Sequence, residues 1–289
     1  MRILETHIAS QQKLPIRIQE YAVGIFKTLQ TRCAVKKAIK KKLILVDNWP
    51  TTTGKIIIGG EKISLLKTIN NKPRKQLMFR LEIVYEDDYL AVIEKPAGIL
   101  VSGNKFKTVD NALEKNLQKS TQLDAVRPRP IHRLDYPTSG LLLIGKTSSS
   151  ISILNQLFEN KKIKKTYYAI TIGKMNSKGV INIDLDTKEA ISEYKVIYSV
   201  KSKRFTSLNL VELRLETGRR HQLRRHLLHI GNPILGDQEY CIDSLILKRK
   251  GLYLHASHLQ FTHPFTQKIL SLKSSLPAKF LKIKQTVNC

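Results

Sequence analysis

Apolar residues recur along this chain in two textures, and the change falls near residue 80. In the first part, Ala34, Val35, Ala38 and Ile39 recur at helical spacing and form one narrow apolar stripe. Thr31 is placed to cap the helix that this spacing predicts over 32–42. Lys36, Lys37, Lys40 and Lys41 lie off the stripe. Short apolar runs at 43–46, 55–58 and 62–66 predict strands, separated by the turn-like Asp47-Asn48-Trp49-Pro50 and by Gly59-Gly60. Residues 68–79 read as a polar linker.

Beyond residue 80 the chain breaks into many short runs of strand composition. They fall at 81–85, 90–93, 141–144, 166–172, 194–200, 208–215, 253–261 and 268–272. Helices are fewer, at 108–119, 148–160 and 220–229. The pattern predicts an α+β protein: a large, mostly antiparallel sheet over 80–289 behind a small α+β module.

Charge then narrows the partners. The 289 residues include 50 Lys/Arg against 23 Asp/Glu, a formal net charge of +27. With 42% hydrophobic residues the chain has a core to bury and is no disordered basic tail. Such a surface favours polyanions. The excess is concentrated in residues 1–79, with 16 Lys/Arg against 4 Asp/Glu. A lysine run is ordinarily a solvated helix face, but in so basic a module nucleic-acid contact moves ahead of that reading. No stretch approaches the roughly 20 apolar residues of a membrane span. The first residues carry Glu5 and lack the apolar run of a signal peptide. Cys33, Cys241 and Cys289 form no C-x-x-C pair, which argues against a disulfide framework or cysteine zinc site. A monomer in the reducing cytoplasm is expected.

Several motifs compete for the chemistry. Gly140-Leu-Leu-Leu-Ile-Gly145-Lys146-Thr147 fits the expression for a phosphate-binding loop. Its four middle residues want burial in a strand, so a nucleotide triphosphatase is disfavoured. His221, His226 and His229 cluster in sequence, yet no carboxylate or cysteine joins them at zinc-site spacing, so no metal is expected. No nucleophile-elbow sequence supports a serine hydrolase. More informative is Arg129-Pro-Ile-His132-Arg133-Leu134-Asp135-Tyr136-Pro-Thr-Ser-Gly140. It places a scarce carboxylate on a turn-rich loop between strands. The basic segment from Thr217 to His226 is available as its counter-charge.

His132-Arg133-Leu134-Asp135, followed by Thr138-Ser139-Gly140-Leu141, resembles the central motif of the RluA-type pseudouridine synthases. Thr217-Gly218-Arg219 with His221-Gln222-Leu223-Arg224, and His229 through Asp237, resemble a later one. Glu94-Lys95-Pro96-Ala97-Gly98, Lys165-Thr-Tyr167-Tyr-Ala169 and His255-Ala256 resemble three others, all in order across roughly 80–280. The departures, Pro137, Arg220, Arg225 and Asn232, remove no motif position. The resemblance implies that uridine in RNA is converted to its carbon-linked isomer, with no cofactor and no metal. It implies Asp135 as the essential carboxylate, attacking ribose or base or starting elimination to a glycal. It implies Arg224 as the partner of Asp135, with Arg219 second, Tyr167 as the ring stacked on the target base, and Arg133 as a residue that fills space or contacts the backbone when the uridine is extruded. Ribosomal RNA is the first expectation and transfer RNA the second. The alternative is a non-catalytic RNA-binding or ribosome-assembly protein that kept the fold.

Residues 12–67 resemble, in turn, the small RNA-binding domain named after ribosomal protein S4. Asp47-Asn48-Trp49 stands where that domain more often has Val-Asn-Gly. Arg32, Lys36, Lys37 and Lys40 are its expected RNA contacts.

Overall fold

The computed structural model describes residues 2–67, 76–247 and 250–285, so most of the expected linker at 68–79 lies outside the described residues. The N-terminal part comprises β1 (Arg2–Ile8), β2 (Ile16–Arg17), the single turn α1 (Ile18–Tyr21), α2 (Arg32–Lys40), β3 (Ile44–Val46), β4 (Trp49–Pro50), β5 (Ile56–Ile57) and β6 (Lys62–Lys67). A four-stranded sheet runs β1-β6-β3-β4, and β2 pairs with β5. Thr31 caps α2, its hydroxyl accepting from Ala34 N at 3.2 Å. The apolar stripe buries Val35, Ala38 and Ile39 against Ile44, Val46 and Ile63. Strand β1 lies upstream of the boundary expected at residue 12, yet it belongs to the same sheet. It carries no alternating signature, because Ile3, Leu4 and Ile8 are all exposed, and backbone pairing with β6 holds it. Asp47 and Asn48 alone form the hairpin turn, with φ of +50° and +68°. Trp49 and Pro50, expected in that turn, continue as an edge strand, where proline's missing N–H costs no ladder bond.

The larger part follows as β7 (Glu82–Glu86), β8 (Leu90–Lys95), α3 (Val109–Asn116), β9 (Ala125–Pro130), β10 (Ser139–Thr147), α4 (Ser148–Glu159), β11 (Lys164–Ile172), β12 (Lys178–Asn182), β13 (Ile191–Ser202), β14 (Thr206–Leu215), α5 (Gln222–His229), β15 (Leu254–Thr262), β16 (Ile269–Lys273) and α6 (Ala278–Gln285). One ten-stranded sheet has the path β12-β13-β14-β11-β15-β10-β8-β7, with β16 beside β15 and β9 beside β10. All its pairings are antiparallel except the short parallel contact of β10 with β15. Strand β9 escaped the sequence because its two prolines read as a loop; it pairs with only part of β10.

The phosphate-loop mimic is strand β10. Leu141 and Leu143 pack on one face with Leu154 of α4, while Leu142 and Ile144 face the other core with Ile93 and Val109. A strand buried on both faces needs a continuous apolar run rather than an alternating one. Lys146 is 2% exposed, donating to Glu86 at 2.7 Å and to the carbonyl of Asp87 at 2.5 Å. Its ammonium therefore ties β10 to the end of β7 and cradles nothing.

Candidate active site

Asp135 sits on the loop from β9 to β10, which is fastened from several sides. His132 accepts from Leu143 N at 3.0 Å. Burial, with Lys165 nearby, lowers its pKa to about 3, so the ring is neutral and able to accept. The buried ammonium of Lys95 donates to the carbonyls of Thr138 (2.7 Å), Pro96 (3.0 Å) and Tyr136 (3.4 Å). Gly98 N donates to the Tyr136 carbonyl at 2.8 Å, and Thr138 N donates to that of Asp135 at 3.1 Å. Ser139 Oγ meets His255 Nδ1 at 2.9 Å.

At the loop's end, Gly140 has φ of +118°, and a Cβ there would overlap the backbone of Ala256. Gly140 and Tyr167 both pair with Ala256, so β15 sets the spacing between the Asp135 loop and β11. The register shift between Thr166 and Tyr167 leaves Ser257 as the extra residue on β15, a bulge of the kind that re-aims a side chain. Gly140→Ala is expected to destabilise the protein by about 2–4 kcal/mol through the clash and the positive φ. Urea unfolding measures it, and a loss under ~0.5 kcal/mol would show that β15 yields.

Helix α5 supplies the counter-charge. The expected start at residue 220 gives way to Gln222, because His221 is left-handed at φ +53°. Buried Gln222 anchors the approach: its Oε1 accepts from Thr217 Oγ1 at 2.8 Å and from Arg219 N at 2.9 Å, and its Nε2 donates to Ile191 O and Ser192 Oγ, both at 2.9 Å. That fixes the first turn of α5, which carries Arg224. Arg224 donates bidentately to Asp237 at 2.7 and 2.8 Å and to Glu239 at 3.1 Å, and its guanidinium lies 4.7 Å from the Tyr240 ring centre. Its remaining nitrogen, Nη1, comes within 3.6 Å of Asp135 Oδ2. His221 Nε2 stands 3.7 Å from Asp135 Oδ1, and its Nδ1 lies 3.0 Å from the Tyr240 hydroxyl. Burial opposes the charge on Arg224, yet Asp237, Asp135 and Glu239 together raise its pKa.

A cleft of about 1200 Å³ contains Asp135, Tyr167 and Arg224, with Arg133 and Arg219 also in its wall. The Tyr167 phenol is pushed up, first by burial and then by the Asp135 charge. Arg133 is exposed, and its guanidinium has no hydrogen-bond or ion-pair partner among the described residues. Arg219, the second choice as partner of Asp135, instead donates to the carbonyl of Glu189 at 2.9 Å. In the N-terminal part, Lys36, Lys37 and Lys40 are exposed, whereas Arg32 pairs with Glu20 at 2.6 Å. Among the described residues no group of three or more His, Cys, Asp or Glu is placed to hold a metal, and no helix is long and apolar enough to cross a membrane.

Residues 89–229 match the family model described as RNA pseudouridylate synthase. Ribosomal large subunit pseudouridine synthase D of Buchnera aphidicola (subsp. Schizaphis graminum) is 34% identical, with 90% of each chain covered. The chain belongs to the RNA pseudouridylate synthase family. tRNA pseudouridine synthase C of Pasteurella multocida is 35% identical over 70% of this chain and 94% of its own. Among solved structures, human RNA pseudouridylate synthase domain containing 4 superposes with a TM-score of 0.58 at 26% identity, covering 72% of this chain and 93% of its own. The protein is thus an RNA pseudouridine synthase, an isomerase.

Lys95 and Asp237 fall in matched motifs with no role of their own implied, and Glu239 and Tyr240 lie just past the last residue of one of them. In this synthase Asp237 fixes Arg224, Tyr240 holds His221, and Lys95 fastens the Asp135 loop from beneath. The signal available for Lys95 was a lysine inside an apolar strand. Burial lowers its pKa to about 8, and the Asp135 charge opposes that shift. As pH rises through about 8, the ammonium loses charge and one of its donors to three carbonyls, so kcat/KM is expected to fall there. Stability contributed by Lys95 runs the other way. Between pH 8 and the ordinary lysine value, the unfolded chain holds a proton that the folded chain has released, so folding gains as pH rises. A pH–rate profile flat to pH 9.5 would remove Lys95 from this role.

Proposed function

We propose that this synthase isomerises uridines in ribosomal RNA, with Asp135 as the essential carboxylate. One observation carries the reading of the site. Among the described residues, the Asp135 carboxylate accepts no hydrogen bond within 3.5 Å, while Arg224 and His221 face its two oxygens at 3.6 and 3.7 Å. A carboxylate faced by a guanidinium and an imidazole but tied by neither keeps its lone pairs for the substrate.

The reaction is redox-neutral and keeps every atom of the base. Asp135 attacks ribose or base, or removes a proton to open elimination. Arg224, clamped by Asp237, steadies the negative charge beside it. Tyr167 presents its ring to the uracil. Because burial keeps its phenol protonated, Tyr167 acts by stacking and by donating a hydrogen bond rather than as a phenolate. Arg133 meets the RNA backbone as the nucleotide leaves the stack, a step that costs a few kcal/mol.

The choice of ribosomal RNA rests on coverage. The relative named for the ribosomal large subunit aligns with 90% of this chain, the one named for tRNA with 70%. The N-terminal module, read as an S4-like RNA-binding domain over 12–67, supplies a second grip through Lys36, Lys37 and Lys40. The enzyme works as a monomer in the cytoplasm. Mapping pseudouridines in total RNA with and without the gene tests the substrate. Loss of sites in large-subunit ribosomal RNA is expected, and loss confined to transfer RNA would overturn that choice.

A further inference from the structure

Trp49 is the only tryptophan in the chain, and it is 77% exposed. A side chain this large and apolar usually finds cover. Its backbone is well fixed. The Asp47-Asn48 turn adopts the left-handed pair of angles that suits a two-residue hairpin. Asp47 Oδ1 accepts from Lys62 N at 2.9 Å, and Asp47 N donates to Lys62 O at 2.8 Å, tying the turn to β6. Trp49 then pairs with Val46 across the hairpin. Directly opposed residues share a face of the sheet. Val46 is buried in the cluster that holds Val35 and Ile39 of α2, so Trp49 projects on the side of the sheet that α2 covers. It does so from β4, the open edge.

That side is densely cationic. Lys36, Lys37 and Lys40 stand exposed on α2, and Lys41 and Lys42 follow on the way into β3. Strand β3 is three residues long, so about 10 Å separates its two ends. The lysine run lies at one end and the Trp49 hairpin at the other. Among the described residues none of these five lysines has an ion-pair partner; the acid near α2, Glu20, is taken by Arg32.

An exposed aromatic ring held on a rigid backbone beside unpaired cations is the arrangement by which proteins seize single-stranded nucleic acid. The cations track phosphates while a base stacks on the ring. We propose that Trp49 is a stacking platform for an unpaired base of the RNA, separate from the uridine that enters the Asp135 cleft. The site would select RNA with a loop or bulge over a continuous duplex, because only a splayed base offers its face. This rests on the reading of the N-terminal module as RNA-binding.

The full-length protein allows a direct test, since all tryptophan emission comes from one residue. A 20-nucleotide RNA hairpin with an unpaired loop and a fully paired duplex of equal charge serve as probes. Hairpin binding is expected to quench Trp49 fluorescence strongly, and the duplex weakly. Trp49→Ala is expected to weaken hairpin binding about tenfold, ~1.4 kcal/mol, with the salt dependence unchanged, because stacking releases no counterions. Trp49→Phe should restore much of the affinity. The pair Lys36→Ala and Lys40→Ala should instead flatten the salt dependence. Full affinity in Trp49→Ala, or unquenched emission on a bound hairpin, overturns the stacking site while leaving RNA binding by the module intact. No effect of the lysine pair on affinity or salt slope overturns the module's RNA contact itself. Emission that shifts with protein concentration and not with RNA marks a contact between copies, and also overturns the proposal.

Discussion

Asp135→Asn is expected to lower uridine isomerisation by on the order of 10⁴-fold or more, the scale reached when a carboxylate that acts in the chemical step is removed. The substitution is nearly isosteric, so the loop should survive it. Among the described residues the carboxylate's neighbours of opposite or potential opposite charge are Arg224 at 3.6 Å and His221 at 3.7 Å, and Asp135 is about one-quarter exposed. Contacts this long, partly in solvent, contribute less than about 1 kcal/mol. The loop itself is held by Lys95, Gly98, His132 and Ser139, none of which the substitution touches. RNA affinity should therefore change little, read by filter binding alongside release of the carbon-5 hydrogen from labelled uridine. Residual isomerisation within tenfold of the unaltered enzyme would remove Asp135 from the chemistry. Loss of RNA binding together with activity would make it a binding residue instead.

Much of this site was legible because its parts are local. Asp135 announced itself as an acidic residue in a turn-rich loop of a basic chain, and Arg224 as a cation in a segment of matching sequence. The large antiparallel sheet followed from runs of apolar and β-branched residues. What stayed hidden depends on contacts distant in sequence. Lys95 entered only as one position of the Glu94–Gly98 resemblance; its place in an apolar strand hints at burial, but nothing local shows that three carbonyls close over its ammonium. The left-handed turn at His221, which starts α5 two residues late, is imposed by Gln222 bonding back to Thr217 and across to Ile191 and Ser192. Strand β1 has no apolar face to betray it, and β9 carries prolines that ordinarily end strands. The Gly140 to Thr147 run shows the reverse case. Its residues satisfy a phosphate-loop expression, and only the need to bury both faces of β10 explains why they are there.

Arg224→Met should fail in two ways that can be separated. Asp237 has a fully buried side chain and receives two bonds from this guanidinium. Removing Arg224 alone leaves that carboxylate charged and unpaired out of water, at a cost of about 3–5 kcal/mol. Activity should also fall by about 10²–10³, as when one preorganised electrostatic contact to a reacting centre is lost. Pairing the change with Asp237→Asn removes the stranded charge while keeping an oxygen to accept from Glu239 N and Tyr240 N, which both donate to Asp237 Oδ1 at 3.0 Å. Urea unfolding of the double variant should recover more than half of the lost stability. Its isomerisation rate should not recover, because Asp135 still lacks the cation held 3.6 Å away. If stability and rate return together, Arg224 serves only to neutralise Asp237, and His221 at 3.7 Å is the neighbour that serves Asp135. If neither returns, the Arg224–Asp237 pair shapes α5 itself, and its influence on Asp135 is a matter of position rather than charge.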